Sequence, residues 1–262
     1  MNDSTLTMPE LEICAGDRDS VEAALLGGAT RVEICTALGA GGLTPQQSLM
    51  ELTSHVSPAL RRHVLIRPRP GDFLYSNSEM QTMITDVGCR GIADADGFVI
   101  GILRPDGSVD RERTSLLMKA ASGDGRRRPS FTFHRAFDMT SDPFQALEDT
   151  IGLGFDRVLT SGCAATAEAG IKMLRKLNEQ AAGRIIIMAC GGVNASNARM
   201  IMEETGITSL HASCSHRMDS RMEYRNLKTS MGTGCDDEYS HTTTSREKVE
   251  ALREAMKLTK TF

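Results

Sequence analysis

The amino-acid sequence predicts a TIM-type (β/α)8 barrel: one α/β domain of eight parallel strands, an irregular C-terminal tail and a closing helix. Three observations predict it. Short apolar runs of strand length recur between residues 10 and 214, each followed by a segment of helical period. Parallel strands need such helical crossovers. The chain has 262 residues, ordinary for a single α/β barrel. No Gly-x-Gly-x-x-Gly follows the first run, which weakens the competing doubly wound sheet as a dinucleotide site.

The first strand is read at 10–14, where Asp17 caps a helix through Val21, Ala24 and Leu25 to Gly27-Gly28. The second is 31–35, with Pro45 near N1 of its helix. The third, 63–67, leads through a long loop to a weak helix near 79–87, which Gly88 and Gly91 interrupt. The fourth is 97–100, with a helix after Asp110, and the fifth is 130–134, with a helix after Pro143. The sixth is 157–160; the seventh is 184–188, with Asn194 as N-cap of the helix beyond. The eighth, at 209–212, is the faintest. Residues 1–9 read as an N-terminal extension, 10–214 as the barrel, and 215–262 as a tail packing on it. Val249, Leu252 and Met256 mark the closing helix.

Composition narrows the function. Apolar residues are 40% and charged residues 24%, enough for a sizeable core and against disorder. A formal charge of −4 gives no reason to expect nucleic acid. The one basic cluster, Arg126-Arg127-Arg128, sits between Gly-Asp-Gly and a proline and reads as a solvated loop. No apolar run reaches membrane-spanning length, and the first ten residues lack the pattern of a signal peptide. Seven scattered cysteines fit thiols kept reduced in the cytoplasm. Fifteen methionines and no tryptophan suggest a methionine-rich core.

The candidate site begins with a repeat. "LEIC" at 11–14 returns as "VEIC" at 32–35. Side chains alternate along a strand, so Glu12 shares a face with Cys14 and Glu33 with Cys35. Leu11, Ile13, Val32 and Ile34 take the other face and suit the outer helices. Acids and thiols then point into the lumen, the cysteines nearer the carboxyl-terminal mouth where barrel enzymes keep their chemistry. At matching heights the two sulfurs would approach closely. Other strands also end in polar groups: Arg67, Arg69 and Asp72 follow the third, and His134, Arg135 and Asp138 the fifth. Ser161 ends the sixth, and Gly191-Gly192 follow the seventh, as a tight turn or an anion cradle. Arg67 and Arg69 are the expected partners of the lumen acids.

These residues resemble the CutC family of copper homeostasis proteins along nearly the whole chain. The matches are "RPRPGDFLYS" at 67–76, "FHRAFDM" at 133–139, "GFDRVLTSG" at 154–162 and "EYS" at 238–240, with "GGLTP" at 41–45 and the paired "EIC" strand ends. The resemblance implies a cytoplasmic TIM barrel, often a homo-oligomer such as a dimer or tetramer, associated with copper handling. It also implies Cu(I) ligands at Cys14 and Cys35. The chain departs after the seventh strand, where the family has a proline and three glycines and this sequence has Met188-Ala189-Cys190-Gly191-Gly192. A lost glycine adds a Cβ where backbone would meet an anion.

Thiolates select Cu(I), whereas structural zinc wants four ligands, and no Cys-x-x-Cys is present. A copper carrier leaves the remaining polar set unexplained. An enzyme acting on a small carboxylated or phosphorylated metabolite, for example by lyase chemistry, would use Glu33, His134 and Asp138 for proton transfer. Arg67, Arg69, Asp72, Arg135, Ser161, Gly191 and Gly192 would then bind substrate. Of the other thiols, Cys89 reads as inert or surface-exposed, Cys190 as near the mouth and Cys235 as part of the tail, while Cys163 follows Thr160-Ser161-Gly162, from where it could reach the mouth. His211, Cys214 and His216 lie close in sequence but match no standard metal spacing.

Overall fold

The computed structural model describes residues 9–89, 92, 94–123, 128–231 and 237–257. Eight parallel strands close into a barrel in chain order. They are β1 (Glu10–Ala15), β2 (Arg31–Ile34), β3 (Arg61–Leu65), β4 (Gly97–Ile100), β5 (Ser130–Phe133), β6 (Arg157–Thr160), β7 (Ile186–Ala189) and β8 (Ser209–Ala212). The helices between them are α1 (Arg18–Leu26), α2 (Gln47–Thr53), α3 (Asn77–Gly88), α4 (Arg111–Ser122), α5 (Pro143–Leu153), α6 (Ile171–Ala181) and α7 (Ala198–Thr205).

Local chemistry sets most of these bounds. Asp17 caps α1 by accepting the Ser20 amide at 2.7 Å. Ser76 and Glu79 form a reciprocal capping box that starts α3 two residues early, and Gly88 ends this helix instead of breaking it. Gly91 lies outside the described residues. Pro45 stands before α2, whose N-cap is Gln46. Asn194 makes a turn, its Oδ1 accepting from the Ser196 amide at 2.9 Å, and Asn197 holds the N-cap position of α7.

The outward strand residues Leu11, Ile13, Val32, Ile34 and Val64 are fully buried in one core with the helices. Met50, Met80, Met83 and Met202 belong to that core. After β8 the chain forms an antiparallel hairpin of β9 (Ser215–Asp219) and β10 (Ser240–Thr244), which the sequence reading had left irregular. Helix α8 (Arg246–Ala255) then buries Val249 and Leu252, and Val249 sits where a Cβ on Gly27 would stand, 2.5 Å away. The small residue at the end of α1 lets the closing helix dock. Arg126, Arg127 and Cys235 lie outside the described residues.

Register decides the height of the site. Glu12 is level with Arg31, and Cys14 with Glu33. The two Glu-x-Cys repeats are therefore staggered by two residues, and Cys35 stands one lumen layer above Cys14. The expected matching heights do not occur, because closing a sheet into a barrel shears neighbouring strands.

Candidate functional site

Glu12, in the middle of the lumen, is fully buried and surrounded by bases. Arg31 Nε donates to its Oε2, His211 Nδ1 lies 2.7 Å from Oε1, and His63 Nδ1 lies 3.9 Å from Oε2. Burial alone would raise this carboxyl; Arg31 and then His211 hold it well below the ordinary range. Its partners are thus Arg31 and His211, not the expected Arg67 and Arg69. Arg31 also pairs with Glu10 at 3.1 Å. Burial would lower the His211 imidazole, but contacts with Cys14 and Glu12 raise it well above the ordinary value, which favours the imidazolium beside Glu12 and Glu33.

Above this layer a cavity of about 400 Å³ opens at the carboxyl ends of the strands. Its polar lining includes Cys14, Glu33, Cys35, Arg67, His134 and His211; Leu38, Leu65, Phe73 and Leu159 supply apolar wall. Glu33 lies 4.0 Å from His211 Nε2, and burial pushes its carboxyl up to about 7 against the pull of that imidazolium. Cys14 and Cys35 belong to one small buried cluster with Leu65 and Val99. Cys14 Sγ lies 3.7 Å from the Ala212 carbonyl. Burial and the nearby Glu33 push the Cys35 thiol well up.

Arg67 is buried at 7% exposure. Its Nη1 donates to the carbonyls of Ala40 at 3.1 Å and Gly42 at 3.0 Å, and its Nη2 donates to that of Gly71 at 2.8 Å. Glycine at 41, with φ of +84°, lets the guanidinium in, since a Cβ there would stand 3.2 Å from Arg67 Nη1. At Gly42 φ is +83°, and a Cβ there would stand 2.8 Å from Leu65 Cδ2. The guanidinium lies 5.1 Å from the Phe73 ring centre.

His134 follows β5 and packs 4.9 Å from the same Phe73 ring. Its Nδ1 accepts the Ala136 amide at 3.1 Å, so the ring proton is on Nε2, which is buried with no partner. Burial and the Arg67 charge lower this imidazole to about 3. A Cβ at Gly101 would stand 2.6 Å from the ring, so glycine there makes the imidazole's seat.

Other predicted site residues fall elsewhere. Asp138 lines the cavity but is saturated: Thr160 Oγ1 donates at 2.5 Å, the Ser161 and Cys163 amides at 3.1 Å, Arg135 Nε at 2.9 Å and Ser161 Oγ at 3.0 Å. Asp138, Arg135 and Ser161 thus staple the turn after β5 to the end of β6. Arg69 reaches Glu79 at 2.5 Å and Asp72 at 3.0 Å on an outer loop, away from the cavity lining. Gly191 packs under Ser161, and Gly192 lines a separate cavity with Ser213, Cys214 and Lys248. Cys190 is buried with Leu159 and Met188 and has no positive φ, so its Cβ is tolerated. Cys163 is exposed, Cys89 and Cys214 are half-buried, and among the described residues no three His, Cys, Asp or Glu side chains form a metal-holding group.

Arg31, His63 and His211, the last noted in the sequence only for its nearness to Cys214 and His216, are not among the expected site residues, and neither is Gly101. Strand parity was the available signal for the first three: each lies an even number of residues from an inward neighbour, Glu33, Arg67 and Ser209 respectively. At the opposite mouth a polar cavity of about 580 Å³ is lined by Arg31, Arg61, Arg128 and Arg157 with Glu10 and Asp156.

Comparison with known proteins adds to this geometry. A profile described as the CutC family matches residues 9–216. The family protein CutC of Porphyromonas gingivalis is 45% identical over 92% of this chain and 95% of its own. The copper homeostasis protein cutC homolog of Homo sapiens is 41% identical over 92% of this chain and 87% of its own. A crystal structure solved as copper homeostasis protein CutC from Streptococcus agalactiae superposes with TM-score 0.73 at 31% identity, covering 79% of this chain and 99% of that one.

Proposed function

Because the chain belongs to the CutC family, whose relatives are named for copper homeostasis, we propose that it carries Cu(I) as cargo between the thiolates of Cys14 and Cys35. One observation supports this above others: Cys14 and Cys35 share one buried cluster and both line the carboxyl-terminal cavity. Soft thiolates suit Cu(I), and two suffice for it. Zinc would want more ligands than the described residues bring together. Loading displaces the thiol protons, and the apolar neighbours Leu65 and Val99 keep water from the bound ion. Titration of Cu(I) into the reduced protein against a competing chelator tests the proposal. Stoichiometric binding is expected, lost in the Cys14→Ser, Cys35→Ser double variant; unchanged affinity in that variant ends it.

A second reading is favoured by the unpartnered His134 Nε2 beside Glu33 and Arg67 in the same cavity. In it the chain is an enzyme acting on a small anionic metabolite, with Arg67 binding the anion and Glu33 and His134 placed for proton transfer. Loss of function in His134→Asn with copper affinity intact supports it. Retained function there ends it.

A further inference from the structure

The upper cavity holds a positive charge that no acid answers. Arg67 is as buried as a core residue, yet among the described residues no carboxylate lies within 4.0 Å of it; its Nη groups meet three carbonyl oxygens and its Nε has no partner. Dipoles of carbonyls orient a guanidinium without neutralising it, and a buried charge without a counter-ion is costly. Neighbouring acids are committed elsewhere. Asp138 takes Arg135, and Glu33 stands by the His211 imidazolium. Tyr75 supplies no charge, since burial pushes its hydroxyl up to about 12.

Next to this cation, the imidazole of His134 offers one N–H with no acceptor, and both groups rest on the ring of Phe73. The rest of the wall is apolar at Leu38, Leu65, Met139 and Leu159, and its other charged groups stand in pairs, Arg135 with Asp138 and His211 with Glu33. We propose that this cavity binds a small organic carboxylate, one end held by Arg67 and the His134 Nε2–H and the apolar body lying against Leu65 and Leu159.

One full charge and one neutral donor balance a single negative charge, whereas a phosphate dianion would leave charge uncompensated in a chamber whose other cations, Arg135 and His211, already face carboxylates. A cavity of about 400 Å³ takes a molecule of metabolite size. The inference rests on the second reading for its class of ligand, but binding requires no turnover.

The test uses the whole chain labelled with 15N, with 2-oxobutyrate, isovalerate and benzoate as probes and inorganic phosphate as the comparison. Saturable binding of at least one carboxylate is expected, with the His134 Nε2–H resonance moving downfield on saturation. His134→Asn keeps an acceptor for the Ala136 amide and removes the donor, so affinity should fall about tenfold. Phosphate should bind at least about tenfold more weakly than that carboxylate. The proposal is overturned if no carboxylate binds the wild-type chain at millimolar concentration. It is also overturned if the His134 resonance stays still while one binds, or if phosphate binds as well. If 2-oxobutyrate binds and its C3 hydrogens, which are acidic beside the ketone, do not exchange with solvent deuterium, the site stands and proton transfer to a 2-oxo acid by Glu33 and His134 is ended instead.

Discussion

At the amino-terminal mouth each arginine looks at a carboxylate: Arg61 meets Asp96 at 3.1 Å, Arg128 meets Asp156 at 3.1 Å and Arg157 meets Glu10 at 3.5 Å. Arg31 touches two, Glu10 and Glu12. At the carboxyl-terminal mouth Arg67 meets only carbonyls, and the His134 Nε2 meets nothing. The lower cavity is the larger, about 580 Å³ against about 400 Å³. Volume therefore misleads, and charge balance separates the two. The lower network pairs every guanidinium with a carboxylate, although His63 Nδ1 and Arg157 Nε lack hydrogen-bond partners there, and it serves the fold; the upper set leaves the Arg67 charge without a carboxylate, open for something that comes and goes.

Breaking the lower network should cost most. Arg31→Met strands the Glu12 carboxylate in the lumen with only the two histidines near it, and should destabilise the chain by about 3–5 kcal/mol in urea unfolding. A loss below about 1 kcal/mol would mean that His211 alone neutralises Glu12.

The upper set should show itself through pH. His134 has an imidazole of about 3 in the fold against an ordinary 6.5, so the unfolded chain binds its proton first. Stability from this residue is full above about 6.5 and declines as pH falls toward 3, by up to about 1.4 kcal/mol per pH unit. His134→Asn removes that slope. The gap in unfolding free energy between wild type and variant should narrow steadily from pH 6.5 to 4.5, within the interval bounded by those two values. Parallel curves would mean that the ring titrates normally.

The rim of the lower mouth should barely respond. Arg61 is half exposed in its pair with Asp96, so Arg61→Gln should change stability by no more than about 0.5 kcal/mol. A larger effect would extend the paired network out to solvent.

How much of this was legible in the sequence follows from the range of each signal. Alternation along a strand is local, and it placed Cys14, Glu33 and Cys35 on lumen-facing positions that the structure brings to one cavity. Height in the barrel is not local. The stagger of β1 against β2 comes from closure of all eight strands, so the relation between the two thiols could not be read from either repeat. His63 lies inside the expected third strand, but its reach to Glu12 crosses from β3 to β1 and depends on the register of the closed barrel, which no single strand carries. Arg69 and Asp72 looked like mouth residues because they follow a strand, but a loop has no period to say which way it faces. The hairpin of β9 and β10 is polar and mostly exposed, with no alternation strong enough to announce it.

Asp138 has one more consequence. A single carboxylate seized by five donors pins the β5–β6 side of the rim, so that side cannot swing as a flap. Traffic through the mouth must be fitted to a rigid jamb there, while the opposite edge, from Ala40 to Gly42, is held by the Arg67 guanidinium, the same group that would meet an incoming anion.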